Sequence, residues 1–184
     1  MKHPYPSLFI DMDGTLVEWK TATYQQLLKE GFFRNGAPYQ TVVEAIKILS
    51  KDSSFHTRMS LLSAYLDESK YAVDEKHAWA DAHTAGIFPL ENRFFVPTYS
   101  AVADRDAKVA FIEMKLGRKL TSSDVLLDDY SVNLHSWVAA GGTGLKLMNG
   151  INGTRGTWKG PKVSRFASAE AIAKKIQTVV DSAA

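Results

Sequence analysis

The chain has no cysteine, which excludes disulfide frameworks, thiolate zinc sites and cysteine nucleophiles together. Its five histidines show no ligand spacing; His77 and His83 do not share a helix face as an i, i+4 pair would. Neither sign of charge dominates, the formal net charge being +2, and no dense basic stripe marks a partner for duplex nucleic acid. A small positive bias does suit a small anionic ligand. No apolar run approaches the ~20 residues that span a bilayer, and the first residues run straight into a strand without a signal-type apolar region. The expectation is a cytoplasmic chain with no membrane partner. Internal repeats and low-complexity segments are also missing. What remains is 184 residues, 45% hydrophobic and 23% charged, enough for one domain with its own core and a small appended lobe.

Strand and helix signals alternate. Strands are predicted over 7–10, 57–62, 93–96, 124–127 and 145–147, each a short apolar run. Helices are predicted over 21–31, 39–50, 69–84, 106–116, 133–139 and 168–180. Val42, Val43, Ile46 and Leu49 repeat at helical spacing, as do Ile172, Ile176, Val179 and Val180. Alternation of this kind predicts a parallel sheet covered by helices, with the ligand crevice outside the carboxyl ends of the strands. The polar punctuation sits where that rule requires: Asp11, Ser63 and Asp128-Asp129 each follow a predicted strand.

Asp11-Met12-Asp13-Gly14-Thr15-Leu16 carries the strongest chemical signal. Two carboxylates two residues apart repel by about 4 kcal/mol at ~4 Å and an effective dielectric near 20, which a bound cation would relieve. Gly14 permits a sharp turn where a substrate must approach. An Asp-rich turn is the bland alternative, just as Ser63 could be a helix cap. Ser60 rivals Ser63 for the strand-end position, and Asp128 and Asp129 could merely cap the following helix.

Taken together these residues resemble the haloacid dehalogenase superfamily, whose first motif is Asp-x-Asp-x-Thr/Val after the first strand. The resemblance implies a Rossmann-like three-layer α/β/α parallel-sheet core with a small helical cap. Residues 1–16 and 52–184 would form the core and 17–51 the cap. It implies a nucleophile at Asp11 and a general acid/base at Asp13, the latter also lending a backbone carbonyl to a metal. Ser63 matches the second motif, and Lys108, in Arg105-Asp106-Ala107-Lys108, the third. Asp128 and Asp129 match the acidic pair of the fourth, Asp129 as a direct ligand of Mg²⁺ and Asp128 through water. Such a set would hydrolyse phosphate monoesters through an aspartyl-phosphate. A carboxylate nucleophile splits one difficult displacement into two, while Mg²⁺, Lys108 and Ser63 hold the phosphoryl oxygens. The oxygen-only ligand set is what Mg²⁺ prefers.

Within that superfamily the chain is similar to the small 5'(3')-deoxyribonucleotidase branch over about residues 8–152. Gly31-Phe32-Phe33, Pro38 and Val43-Glu44-Ala45-Ile46 resemble its passage from cap to core, and Glu75-Lys76-His77-Ala78-Trp79 its Glu-Lys-x-x-Trp helix. Its second motif would read Ser-Pro, where this chain has Ser63-Ala64. The resemblance implies a nucleoside monophosphate substrate held by Phe32, Phe33, Ser63, Ala64 and Lys108. Either Phe could instead fill the cap–core interface. Another small phosphate ester is the alternative substrate, and a silent domain binding a nucleotide or partner is the alternative function. Trp79 reads as core and Lys76 as surface. Gly141-Gly142-Thr143-Gly144 follows a helix, not a strand, and reads as a helix stop, not a phosphate loop. Asn149-Gly150-Ile151-Asn152-Gly153 with Trp158, in the 149–162 loop, could form a loop over the site, with a plain turn the favoured alternative.

Overall fold

In the computed structural model, residues 7–99, 106–151 and 156–183 are described. Six strands form one sheet: β1 (Ser7–Ile10), β2 (Met59–Leu66), β3 (Arg93–Thr98), β4 (Asp124–Asp128), β5 (Thr143–Met148) and β6 (Lys162–Ser164). Every pairing is parallel, in the order β3-β2-β1-β4-β5-β6. From β1 the chain steps outward through β2 to β3, then crosses to the other side for β4, β5 and β6. The switch falls between β1 and β4, whose registers pair Ile10 with Leu127. In a parallel sheet this is where the ligand crevice opens.

Strands buried on both faces read as continuous apolar runs, and the two faces can be followed residue by residue. Leu8, Ile10, Val125, Leu127, Leu145 and Leu147 turn to one face and join a core with α2 (Gln40–Ser50), α4 (Ala72–Thr84) and α7 (Ala169–Ala183). Phe9, Leu62, Val96 and Leu126 turn to the other, against α5 (Ala107–Leu116) and α6 (Ser131–Ala139) through Ile112, Leu134 and Trp137. Each such Leu or Ile contributes roughly 1.5–3 kcal/mol of burial. The three layers predicted from the sequence are therefore present.

Differences lie where the apolar pattern is weak. In place of a helix over 21–31 there is one turn, α1 (Tyr24–Leu27), with a Thr23/Gln26 capping box and no buried residue. Lacking an apolar stripe to dock, this segment has little tertiary packing to extend it, and turns run on to Asn35. The strand predicted to stop at 62 continues to Leu66, which places Ser63 inside β2. A short α3 (Ser53–His56) and the three-residue β6 were too brief to show a period. Helix α2 packs on α7 and buries Val42, Val43, Ala45, Ile46 and Leu49 in the main core. The second helix of the segment expected as cap thus lies in the helical layer itself.

Candidate active site

Beyond Ile10 the chain leaves the sheet, but the Asp11 amide still donates to the Leu127 carbonyl at 2.9 Å. Asp11 thereby stands beside Asp128, the last residue of β4. A tight turn follows, in which the amides of Thr15, Leu16 and Val17 converge on the Met12 carbonyl at 3.1, 2.8 and 2.8 Å. Gly14 holds φ +83°, and a Cβ there would lie 2.5–2.8 Å from the carboxylate atoms of Asp129. Glycine is required twice, for the left-handed backbone and for the approach of Asp129.

Lys108, the second residue of α5, is buried and bridges the two strand ends. Its Nζ donates to Asp11 Oδ1 at 2.6 Å and to Asp128 Oδ2 at 2.7 Å. Asp11 Oδ2 accepts from Thr15 Oγ1 at 3.2 Å. Asp128 is also bound by Asn133 Nδ2 on Oδ2 at 2.9 Å and by the Tyr130 amide on Oδ1 at 2.8 Å. Asp129 Oδ2 accepts from Asn149 Nδ2 at 2.7 Å, and the same amide nitrogen donates to the Gly14 carbonyl at 2.9 Å. Beneath this loop, Lys146 of β5 donates to the Asp129 carbonyl at 2.5 Å and to Ser131 Oγ at 2.8 Å.

Across the crevice Asp13 faces Ser63 and Lys76. Ser63 Oγ donates to Asp13 Oδ2 at 3.3 Å, and Lys76 Nζ donates to Ser63 Oγ at 2.9 Å and pairs with Asp13 Oδ2. The ammonium also lies 4.3 Å from the Phe33 ring centroid, a cation–π contact. Phe33 belongs to the loop between α1 and α2, which is pinned by Glu75. That buried carboxylate accepts the Phe33 amide at 3.0 Å, the Arg34 amide at 3.3 Å and the Gly31 amide.

A cleft of about 300 Å³ opens over Asp11, Asp13, Ala64, Lys108, Asp128 and Asp129. Beside it a lobe of about 170 Å³ is walled by Trp19, Phe32, Phe33 and Asn35, with Glu18 and Lys20 at its polar side. Asp13 and Trp19 line both. Phe32 meets Trp19 and Phe33 edge-on, centroids 5.9 and 4.9 Å away.

Burial pushes the Asp11 carboxyl well above the usual carboxylate range. Lys108 opposes this, but Asp128, Asp13 and Asp129 add to it. Burial pulls the other way on Lys108, yet Asp11 and Asp128 outweigh it and hold the ammonium above the ordinary lysine range. The cluster is short of positive charge. Oxygens of Asp11, Asp128 and Asp129 all lie within 4.8 Å of one another. Three buried carboxylates without nitrogen or sulfur donors fit a hard divalent cation such as Mg²⁺.

The structure brings Asp11, Asp13, Ala64, Lys108, Asp128 and Asp129 to one crevice, with Phe32 and Phe33 in the adjoining lobe; Ser63 is fully buried behind Asp13 and meets the crevice only through that carboxylate. Ser60 pairs with Phe9 within the sheet, three residues short of the crevice. Arg105 lies outside the described residues. Lys76, read as surface from the sequence, is fully buried. Its signal was available: Ala72, Lys76, Trp79 and Ala80 share one helix face, and the other three are core residues. Asn149, in a segment whose favoured reading is a plain turn, lies at the site and follows β5 as Asp11 follows β1. Trp19, Asn133 and Lys146 gave no local signal; only the fold brings them to the site.

No protein-family model matches the sequence, and no curated protein sequence does. Solved structures of similar fold do exist. The D,D-heptose 1,7-bisphosphate phosphatase of B. bronchiseptica, complexed with magnesium and phosphate, superposes with a TM-score of 0.66 at 12% identity, over 94% of this chain and 98% of its own. A HAD family hydrolase of Deinococcus radiodurans with bound phosphate and sodium gives 0.60 at 13%, covering 96% of each chain. A haloacid dehalogenase-like hydrolase of Streptococcus pneumoniae gives 0.61 at 9%, over 92% and 98%. The fold is that of haloacid dehalogenase-like hydrolases.

Proposed function

We propose that this chain is a Mg²⁺-dependent phosphomonoesterase working through an aspartyl-phosphate, with nucleoside monophosphates as its substrates. One observation carries the reading: a buried Asp11, gripped by Lys108 beside Asp128 and Asp129, faces Asp13 across a single cleft at the switch point of the sheet. In the first step a carboxylate oxygen of Asp11 bonds to phosphorus. The bond from phosphorus to the ester oxygen breaks, its electron pair stays on that oxygen, and Asp13 delivers the proton that neutralises it. In the second step Asp13 takes a proton from water as the water oxygen displaces Asp11 from phosphorus. Lys108 holds the phosphoryl oxygens through both displacements, while Ser63, expected from the sequence to share that task, donates its hydroxyl to Asp13 and steadies the acid/base. Asp11, Asp129 and the Asp13 carbonyl would hold the Mg²⁺, which supplies charge neutralisation of the phosphoryl group. Asp128 has both oxygens engaged by Lys108, Asn133 and the Tyr130 amide, consistent with its acting through water.

The leaving group would enter the aromatic lobe. There Trp19 and Phe32 offer faces and edges to a base, a contact worth ~1–3 kcal/mol in single-stranded nucleic-acid sites. Phe33, buried against Lys76, serves as wall more than as platform. The cap proper would then be the segment ahead of α2, since α2 packs with the core. A second reading, a small polyhydroxy phosphate ester, is favoured by Glu18, Lys20 and Asn35 in the same lobe, which can hydrogen-bond hydroxyls.

The test is release of inorganic phosphate from ribo- and deoxyribonucleoside 5'- and 3'-monophosphates and sugar phosphates, with Mg²⁺ or EDTA, beside Asp11→Asn. Mg²⁺-dependent release that vanishes in the variant is expected. No release from any ester by folded wild-type protein would sink the proposal and favour a silent binding domain.

A further inference from the structure

Asp13 Oδ2 is doubly occupied, by Lys76 and by Ser63. Among the described residues nothing donates to its other oxygen, Oδ1, and the side chain is 19% exposed. Asp13 lines both the phosphoryl cleft and the aromatic lobe. In a substrate that spans the two, the atom at their junction is the ester oxygen. Lys76 itself reaches neither cavity, being 0% exposed behind Asp13, Ser63 and the Phe33 ring.

We infer that Lys76 is a positioning residue for the acid/base, and that with Glu75 it couples the aromatic lobe to proton transfer. By holding Oδ2 it fixes the rotation of the Asp13 carboxyl, so that Oδ1 faces the ester oxygen. Without it, Asp13 is tied only by one 3.3 Å hydroxyl contact and can turn away. The preceding residue, Glu75, gathers the amides of Gly31, Phe33 and Arg34. Two consecutive residues of α4 therefore fix the lobe and the proton donor to one rigid element, and Phe33 closes over Lys76 from the lobe side. A loop displaced from Glu75 would uncover Lys76 and loosen Asp13. This inference rests on the proposed ester hydrolysis and deepens it.

The distinguishing measurement is leaving-group dependence. Lys76→Met should lower kcat on the best alkyl phosphate of the panel by on the order of a hundredfold, since general acid catalysis is worth about 10²–10⁴. With p-nitrophenyl phosphate, whose leaving group needs no proton, the first displacement should be nearly unchanged when followed as the burst of nitrophenolate. KM for the alkyl ester should change little, because Lys76 does not touch it. Lys76→Arg, which keeps the charge and a donor, should recover part of the loss. Circular dichroism and the thermal midpoint establish that each variant is folded, and Lys76→Gln carries the same comparison if Lys76→Met does not fold. Equal losses on both esters, or none on either, overturn the positioning role while leaving the hydrolase intact. A wild type that cleaves neither ester defeats the hydrolase reading and this inference with it.

Discussion

At residue scale, Gly14 shows how little the chemistry can tolerate. An alanine there would carry a left-handed strain of about 1–2 kcal/mol and push a methyl group onto Asp129. We expect Gly14→Ala to fold with a lower thermal midpoint and to need more Mg²⁺ for half-maximal phosphate release; an unchanged Mg²⁺ titration would contradict the packing. Asn149 acts one step behind it, donating to both Asp129 and the Gly14 carbonyl. Removing an outer partner of a metal ligand typically costs 10–100-fold in affinity, so with Asp129 as the proposed ligand Asn149→Ala should shift the same titration by about that much. Lys108→Met should lower kcat/KM by roughly 10²–10³, the usual loss of one preorganised donor. Asp11 and Asp13 could be placed at the crevice from the sequence because their motif begins where β1 ends, whereas Lys108, on a helix, was legible only through the resemblance. Asn149 and Asn133 could not be placed there, since a lone asparagine in a loop looks the same whether it holds a ligand or a turn.

At the scale of elements, legibility followed periodicity. The core strands and α2, α5 and α7 have apolar patterns that only one packing satisfies. By contrast, 21–31 has helix-forming residues but no buried face, and it makes one turn. Helix α4 was legible as a helix but not in its content. The rule that lysines sit in water misplaces Lys76, which buries its ammonium among paired groups. The same helix carries His77, packed against β3, where Arg93 bonds its carbonyl at 3.3 Å. Burial lowers the His77 pKa, Arg93 lowers it further, and Asp81 and Asp74 oppose both. The unfolded state then binds the proton first as pH falls. Stability from this site is complete above the unfolded value near ~6.5 and is lost as pH drops towards the depressed folded value. We expect His77→Gln to flatten that fall in chemical denaturation between pH 7.5 and 5. A wild type and variant with parallel pH profiles would rule the linkage out.

Across the whole molecule the sheet order sets the electrostatics. Crossing from β1 to β4 brings Asp11, Asp128 and Asp129 together at one end of two neighbouring strands, a concentration of negative charge that Lys108 only partly offsets. The fold carries this cost, and it is visible in the raised Asp11 pKa. Without a cation, folded Asp11 keeps its proton where the unfolded chain, near ~3.9, has lost it. Stability from this group is therefore complete below the unfolded value and declines as pH rises through the raised folded one. A divalent cation held as proposed would reverse the trend, because it would bind the ionised form and compete with the proton. Bound to the folded state alone, it would add about 2.7 kcal/mol at a hundredfold excess over its dissociation constant. The difference in thermal midpoint between Mg²⁺ and EDTA should thus be small near pH 4 and widen steadily towards pH 8. In Asp11→Asn the metal-free decline should disappear and the Mg²⁺ increment shrink. A pH-independent increment in the wild type, or none at all, would mean that the three carboxylates do not act together as a cation site.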